Sequence, residues 1–414
     1  MTAVVTAPGP GRVVEGSARR WLAVASATFA IAWGGNEFTP LLVMYRSHEG
    51  FSTLTVDVLL FAYVVGIVPA LLVGGPLSDR WGRRPLMLPA PILAAAGSLI
   101  LAAGASSAAM LGVGRVFSGL ALGLAMAVGG SWIKELSSPP WDDSDAGARR
   151  AAMSLTAGFG LGAGAAGALA EWGPAPTVLP YVVNIAIALA AFVLLLTAPE
   201  TRARGAAEGR WWADLAIPGA SHRRFLFVVV PIAPWVFGAG ASAYAVLPAL
   251  MSARVAAAPI AFSALLCLVT LGVGFAVQYL GRNLVSGGRG GAVLALGLVV
   301  VGMGLAGWAA VVLTVWASLV AAAALGAGYG MSLLVGLQEI QRIADPDDLA
   351  GMTAVFYSLS YLGFAVPAVL AFLSRSVSYP VMFGFGALAA VACLIVAVAG
   401  STRTPAISSA DGRP

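Results

Sequence analysis

Charge is scarce in this chain. Of 414 residues only 10% are Asp, Glu, Lys or Arg, whereas 59% are hydrophobic, and the mean hydropathy is +0.91. A soluble domain carries about a quarter charged residues, so no water-soluble fold has interior enough for this composition. Lysine is nearly missing, with Lys134 the single example. The two histidines, His48 and His222, fall in loops, which excludes a histidine proton relay inside the apolar segments. The two cysteines, Cys267 and Cys393, lie within apolar stretches and offer no disulfide framework. No His/Cys set has metal-ligand spacing, and neither a Ser/His/Asp set nor a cofactor fingerprint occurs. Without a GxxxxGK[ST] run, ATP is not the energy source. These absences argue against an enzyme, a resident metal and a cofactor. The net charge of +5 does not point to nucleic acid, because arginine in such a chain marks one side of a membrane.

What is present is a series of apolar runs cut by Gly, Pro and charge. At about 20 residues per crossing a chain of this length accommodates ten to thirteen spans. The runs predict spans at 21–45, 55–78, 86–105, 108–133, 151–171 and 178–198, and then at 225–248, 258–280, 291–308, 311–335, 351–374 and 380–400. The expected organisation is a tail over 1–20, a six-helix bundle over 21–198, a linker over 199–224 holding Trp211 and Trp212, a second six-helix bundle over 225–400 and a tail over 401–414. With both termini inside, 19 of the 23 Lys and Arg residues fall on the cytoplasmic side. Arg46, Arg254 and Arg375 fall outside, and Arg115 lies within a span. That asymmetry predicts a multi-pass inner-membrane protein with both ends cytoplasmic.

The two halves repeat. Gly75, Asp79, Gly82 and Arg83 at the end of span 2 are matched by Gly274, Gln278, Gly281 and Arg282 at the end of span 8, each 199 residues on, and the same offset relates Met153 to Met352 and Ser154 to Thr353. One offset serving two distant places indicates duplication, hence parallel halves related by an axis along the membrane normal.

The stretch Gly75-Pro-Leu-Ser-Asp79-Arg80-Trp-Gly82-Arg83-Arg84 resembles the signature loop between spans 2 and 3 of the major facilitator superfamily. Leu111, Arg115 and Gly119 are similar to that family's intramembrane arginine motif, and Pro199-Glu200-Thr201 to the common close of its span 6. The resemblance implies an all-α polytopic membrane protein, twelve transmembrane helices in two pseudo-symmetric six-helix bundles, moving a small molecule by alternating access. It implies a conformational gate of Gly75, Asp79, Arg80, Gly82, Arg83, Arg84 and Glu135, with Asp79 set against the positive N-terminal end of a second-half helix, span 11, and Arg83 paired with Glu135. One departure stands out: proton-coupled drug antiporters of the family carry a Gly-Pro pair in a glycine-rich span 5. Here Gly158, Gly160, Gly162, Gly164 and Gly167 are present but Ala163 replaces the proline.

An ionisable group in hydrocarbon needs a partner or a function. Glu37, beside Asn36 in a span loosened by Gly34, Gly35 and Pro40, lies roughly 13 Å below the outer surface, and Arg115 roughly 10 Å, at about 1.5 Å per residue. The pair is expected to meet: burial favours the neutral acid and a nearby guanidinium the carboxylate, so movement of the arginine would load and release a proton. Asp57 and Glu171 read as interfacial. Tyr63, Asn184, Trp235, Tyr244, Tyr329, Tyr357 and Tyr361, amphipathic residues within spans, are the expected cavity lining. The resulting expectation is proton-coupled export of a lipophilic compound, cations included. Proton-coupled uptake of a small metabolite is the alternative, supported by Ala163, and a non-transporting receptor the remote third.

Overall fold

The computed structural model describes residues 19–139, 141–142, 146–202, 217–284, 289–345 and 348–401. Most of both expected tails and of the linker, with Trp211 and Trp212, lies outside these residues, as does the side chain of Arg282. Twelve long helices run through the described part: α1 Trp21–His48, α2 Thr53–Trp81, α3 Arg83–Ala103, α4 Ala108–Glu135, α5 Gly147–Trp172, α6 Leu179–Leu195, α7 Phe225–Met251, α8 Pro259–Leu284, α9 Arg289–Val312, α10 Val315–Ile343, α11 Leu349–Leu373 and α12 Tyr379–Ser401. Ten are long and apolar enough to cross a membrane. Of the other two, α6 has 17 residues, and α1 has the length but carries Asn36 and Glu37 at its centre. Side chains such as Trp172, Trp316 and Leu388 are exposed on the outside of the bundle, as lipid contact requires.

Three even-numbered helices begin on a hydroxyl cap: Ser52 accepts from the Thr55 N–H, Ser107 from Met110 and Thr314 from Ala317. All three caps lie at one end of the bundle. The other end carries Arg80, Arg83, Arg84, Arg150 and Arg342, and is called here the arginine-rich end. Packing within α1–α6 is repeated six helices later: α1 on α5, α2 on α4 and α3 on α6 recur as α7 on α11, α8 on α10 and α9 on α12. The halves meet along α5 against α8 and α2 against α11. Those two contacts exchange under the same six-helix shift, which is the pseudo-two-fold relation the 199-residue repeat implied. Ser154 and Thr353, which that offset pairs, both donate to the carbonyl four residues back.

The glycine stripe of α5 explains the closeness of two of these contacts. A Cβ at Gly162 would stand 2.5 Å from the Trp33 carbonyl oxygen of α1, whereas one at Gly160 would meet nothing within 4 Å. Gly162→Leu is therefore expected to destabilise by about 1–3 kcal/mol or more, since the backbone of α1 must retreat. Gly160→Leu should melt like the wild type, and equal melting temperatures for the two variants would refute close packing as the reason for the stripe. The ladder of α4 widens into a π turn over Ala125–Gly129, and that of α7 does so over Ser242–Val246. Such turns cluster at functional sites.

Candidate functional site

Near the middle of α1 the chain Gly34-Gly35-Asn36-Glu37 brings small residues and two polar ones against three neighbouring helices. Glu37 is fully buried. Its Oε1 accepts from the Ser98 hydroxyl of α3 at 3.0 Å, and Ser98 in turn accepts from Asn184 Nδ2 of α6 at 2.8 Å. Glu37 Oε2 and Asn184 Oδ1 have no partner. Arg115, also fully buried, makes no ion pair with Glu37. Its Nη1 reaches the Gly35 carbonyl at 3.4 Å, its guanidinium lies 4.2 Å from the Tyr63 ring centre and 4.7 Å from that of Phe38, and its Nε has no acceptor. Two aromatic faces around a desolvated cation contribute about 2 kcal/mol. The acid and base thus occupy one buried region, each held by other groups.

A cavity of about 30 Å³ lies between the halves. Asn36, Thr39, Tyr63 and Arg115 line it from α1, α2 and α4, and Phe237, Tyr244, Tyr329, Tyr361 and Phe364 line it from α7, α10 and α11. Phe237 stacks on Tyr361 at 4.4 Å and on Phe364 at 4.9 Å. Asn36 Nδ2 donates to the Phe159 carbonyl at 3.0 Å and approaches Cys267 Sγ across the halves at 3.5 Å. Of the expected lining, Tyr63, Tyr244, Tyr329 and Tyr361 face this cavity, and Asn184, Trp235 and Tyr357 do not. Asn184 belongs to the Glu37 network inside the first half, while Trp235 and Tyr357 pack into apolar clusters. Phe159, Phe237 and Phe364 were missed because a ring without a polar tip reads as ordinary core.

At the arginine-rich end, Gly82 stops α2 with φ +98°, a conformation that favours glycine. Its counterpart Gly281 does not stop α8, which runs on to Leu284. Arg83 is clamped by Glu135, with Nη2 at 2.7 Å and Nε at 3.1 Å from Oε1, and Nη1 of Arg83 lies 2.6 Å from the Ser78 hydroxyl. Thr201 also donates to Glu135. Asp79 does not sit against the start of α11. It pairs instead with Arg83 at 3.0 Å and Arg202 at 3.7 Å, with its side chain 41% exposed. Nothing packs within 4 Å of a Cβ placed on Gly75. Gln278, at the position of Asp79 in the repeat, bonds only to the Gly274 carbonyl of its own helix, at 3.3 Å.

The residue that organises this turn is Glu200. Its Oε1 accepts from the N–H groups of Arg83, Thr201 and Arg202 at 2.9, 3.0 and 3.1 Å, and its Oε2 from that of Arg84 at 2.9 Å, so the carboxylate caps the start of α3. Partial burial pushes its pKa up, but the N–H groups of Arg84, Arg202, Arg83 and Thr201 outweigh this and hold it below the usual carboxylate range. A pKa lower in the folded than in the unfolded state stabilises above the unfolded value, about 4.3, and the contribution fades as pH falls through the folded value. The melting-temperature gap between wild type and Glu200→Gln should be widest at pH 6 and shrink below pH 4. A gap independent of pH would show that the capping charge is immaterial.

At the opposite end, Glu171 closes α5 by accepting from the N–H groups of Ile260 and Ala261, at 2.7 and 3.0 Å, in the first turn of α8. This carboxylate, expected to be merely interfacial, joins the two halves through a helix N-terminus. Asp57, also expected at the surface, is buried at 2% exposure. Glu339, fully buried near the end of α10, accepts from Arg224 at 2.9 Å and Arg342 at 3.3 Å. Sequence reading placed it in a loop.

The Major Facilitator Superfamily profile matches residues 22–366. Among curated proteins, the "Chloramphenicol resistance protein" of Pseudomonas aeruginosa is 24% identical over 361 residues, 84% of this chain and 83% of that one. Among solved structures, a POT family transporter in complex with 5-aminolevulinic acid superposes with TM-score 0.74 at 13% identity, covering 93% of this chain and 96% of that one. The nucleoside transporter NupG superposes with TM-score 0.70 at 11% identity, covering 92% and 99%. At such identities the structural likeness establishes the fold.

Proposed function

The chain belongs to the Major Facilitator Superfamily and is a multi-pass membrane transporter rather than an enzyme, and from that premise we propose that it exports a lipophilic compound in exchange for protons. The observation that carries this reading is Glu37: a fully buried acid with one hydrogen bond, one bare oxygen and no ion pair. A permanent charge so placed in hydrocarbon is costly, and an acid that gains a proton in one state and sheds it in another escapes that cost. Arg115, anchored two residues away on the Gly35 carbonyl, is the group whose movement favours the charged form. The likeness to a chloramphenicol resistance protein supports export. Ala163 in α5, in place of the antiporters' proline, favours the second reading, proton-coupled uptake.

In this reading the protein sits in the inner membrane with the arginine-rich end and both termini in the cytoplasm. Alternating access uses two carboxylates at opposite ends. Glu171 on α8 closes the outer side in the present state, and Asp79 on the start of α11 closes the cytoplasmic side in the other. The test is chloramphenicol flux in liposomes with an imposed pH gradient. Accumulation against the proton gradient is expected, and movement with the protons would establish uptake instead. Flux indifferent to the gradient would overturn coupling altogether.

A further inference from the structure

The two halves contribute different chemistry to the cavity. The first supplies the one charged residue on its wall, Arg115, whose buried Nε has no acceptor, and beside it the buried Tyr63 hydroxyl, which has no partner either. The second supplies an aromatic face, Phe237, Tyr361 and Phe364, whose rings are mutually stacked within 5.9 Å. Glu37 is absent from the wall, because its carboxyl group turns toward Ser98 and Asn184. The charge a bound molecule meets is therefore positive, although the sequence, with its lone acid in α1, pointed toward cations.

We propose that the cavity selects aromatic compounds bearing a carboxylate or another acceptor oxygen, and disfavours lipophilic cations. The acceptor takes the Arg115 Nε–H and the Tyr63 hydroxyl, a charge-assisted pair that is strong in a dry site. The ring enters the Phe237–Tyr361–Phe364 stack in offset or edge-to-face contact. A cavity of about 30 Å³ holds little more than a water molecule, so the ring displaces the stack as the halves part. In the present state Arg115 is sandwiched by Tyr63 and Phe38, which fixes where the acceptor must lie.

This proposal rests on the transporter reading of the same cavity, and its test separates the two. Equilibrium dialysis of the full chain in phosphatidylcholine nanodiscs, with empty nanodiscs subtracted, compares 2-naphthoate, 2-naphthamide and 2-naphthyltrimethylammonium. The naphthoate should bind about tenfold more tightly than the ammonium, with the amide between, as one charge-assisted hydrogen bond implies. Arg115→Gln should abolish that order, and Phe237→Ala should weaken all three alike. If Arg115→Gln does not fold, Tyr63→Phe narrows the preference, and the wild-type order alone still decides. Equal or tighter binding of the ammonium compound, no binding of any probe, or an order that survives in Arg115→Gln overturns the proposal. A preserved order without gradient-driven flux in liposomes would instead remove proton-coupled export and leave the substrate class standing.

Discussion

Glu37→Gln is expected to reduce pH-gradient-driven accumulation to the level seen without a gradient, while counterflow of substrate persists. Glutamine reproduces the protonated acid: its carbonyl still accepts from Ser98, and its amide occupies the place of the bare Oε2. What it cannot do is lose a proton. Binding and the conformational exchange are thus retained, and only the coupling fails. The structure also bears on the competing idea, a static ion pair. Breaking a buried pair by removing one partner costs about 3–5 kcal/mol, but Arg115 is held by the Gly35 carbonyl and by two ring faces rather than by Glu37. The melting temperature of Glu37→Gln should therefore lie within a few degrees of wild type. Three measurements decide: uptake with an imposed pH gradient, counterflow without one, and the melt. Wild-type accumulation in the variant would sink the proton-site assignment, and a large drop in the melting temperature would return Glu37 to a structural role.

The fold was legible because hydrocarbon imposes its own spelling. Apolar run lengths located every span, and the 199-residue repeat anticipated that α2 and α5 of one half exchange roles with α8 and α11 of the other. Helix ends were less legible. Span 10 was read as stopping at 335, whereas α10 continues to Ile343, because Gln338, Glu339 and Arg342 look like loop residues until Arg224 is seen to neutralise Glu339 from another element. Burial through such long-range pairing leaves no local signal. The same applies to the site. Glu37 and Arg115 stood out as charges inside apolar runs, but the direction in which each side chain turns depends on Ser98, Asn184, Phe38 and Tyr63 from other helices. The aromatic half of the cavity gave no warning, since phenylalanine in a span is ordinary. Glu200 was visible only as part of a short motif, and its work, four N–H groups from two chain segments, exists only once α3 and the end of α6 are brought together.

The last expectation concerns two carboxylates at opposite ends of the two contacts that join the halves. Glu171 ends α5 and caps α8, and Asp79 ends α2, the helix that packs on α11. In the present state only the cap by Glu171 is made. A carboxylate on a helix N-terminus, with charge-assisted bonds to two N–H groups, contributes about 1–3 kcal/mol, so Glu171→Ala should shift the equilibrium by roughly five- to a hundredfold toward a state open at that end. Asp79→Asn should act in the opposite sense, depleting the alternative state, with little loss from its present pairing because Arg83 keeps its clamp on Glu135. Spin labels at positions 172 and 254 report the separation of the Glu171 end, and labels at 81 and 349 that of the arginine-rich end. With Cys267 and Cys393 replaced, electron–electron distance distributions of each variant should move in opposite directions at the two pairs. Both variants should transport more slowly than wild type, since each removes the contact that holds one of the two states. The double variant should restore the distance balance without restoring full rate. Identical distributions in wild type and Glu171→Ala would reduce the α5–α8 contact to a simple helix cap.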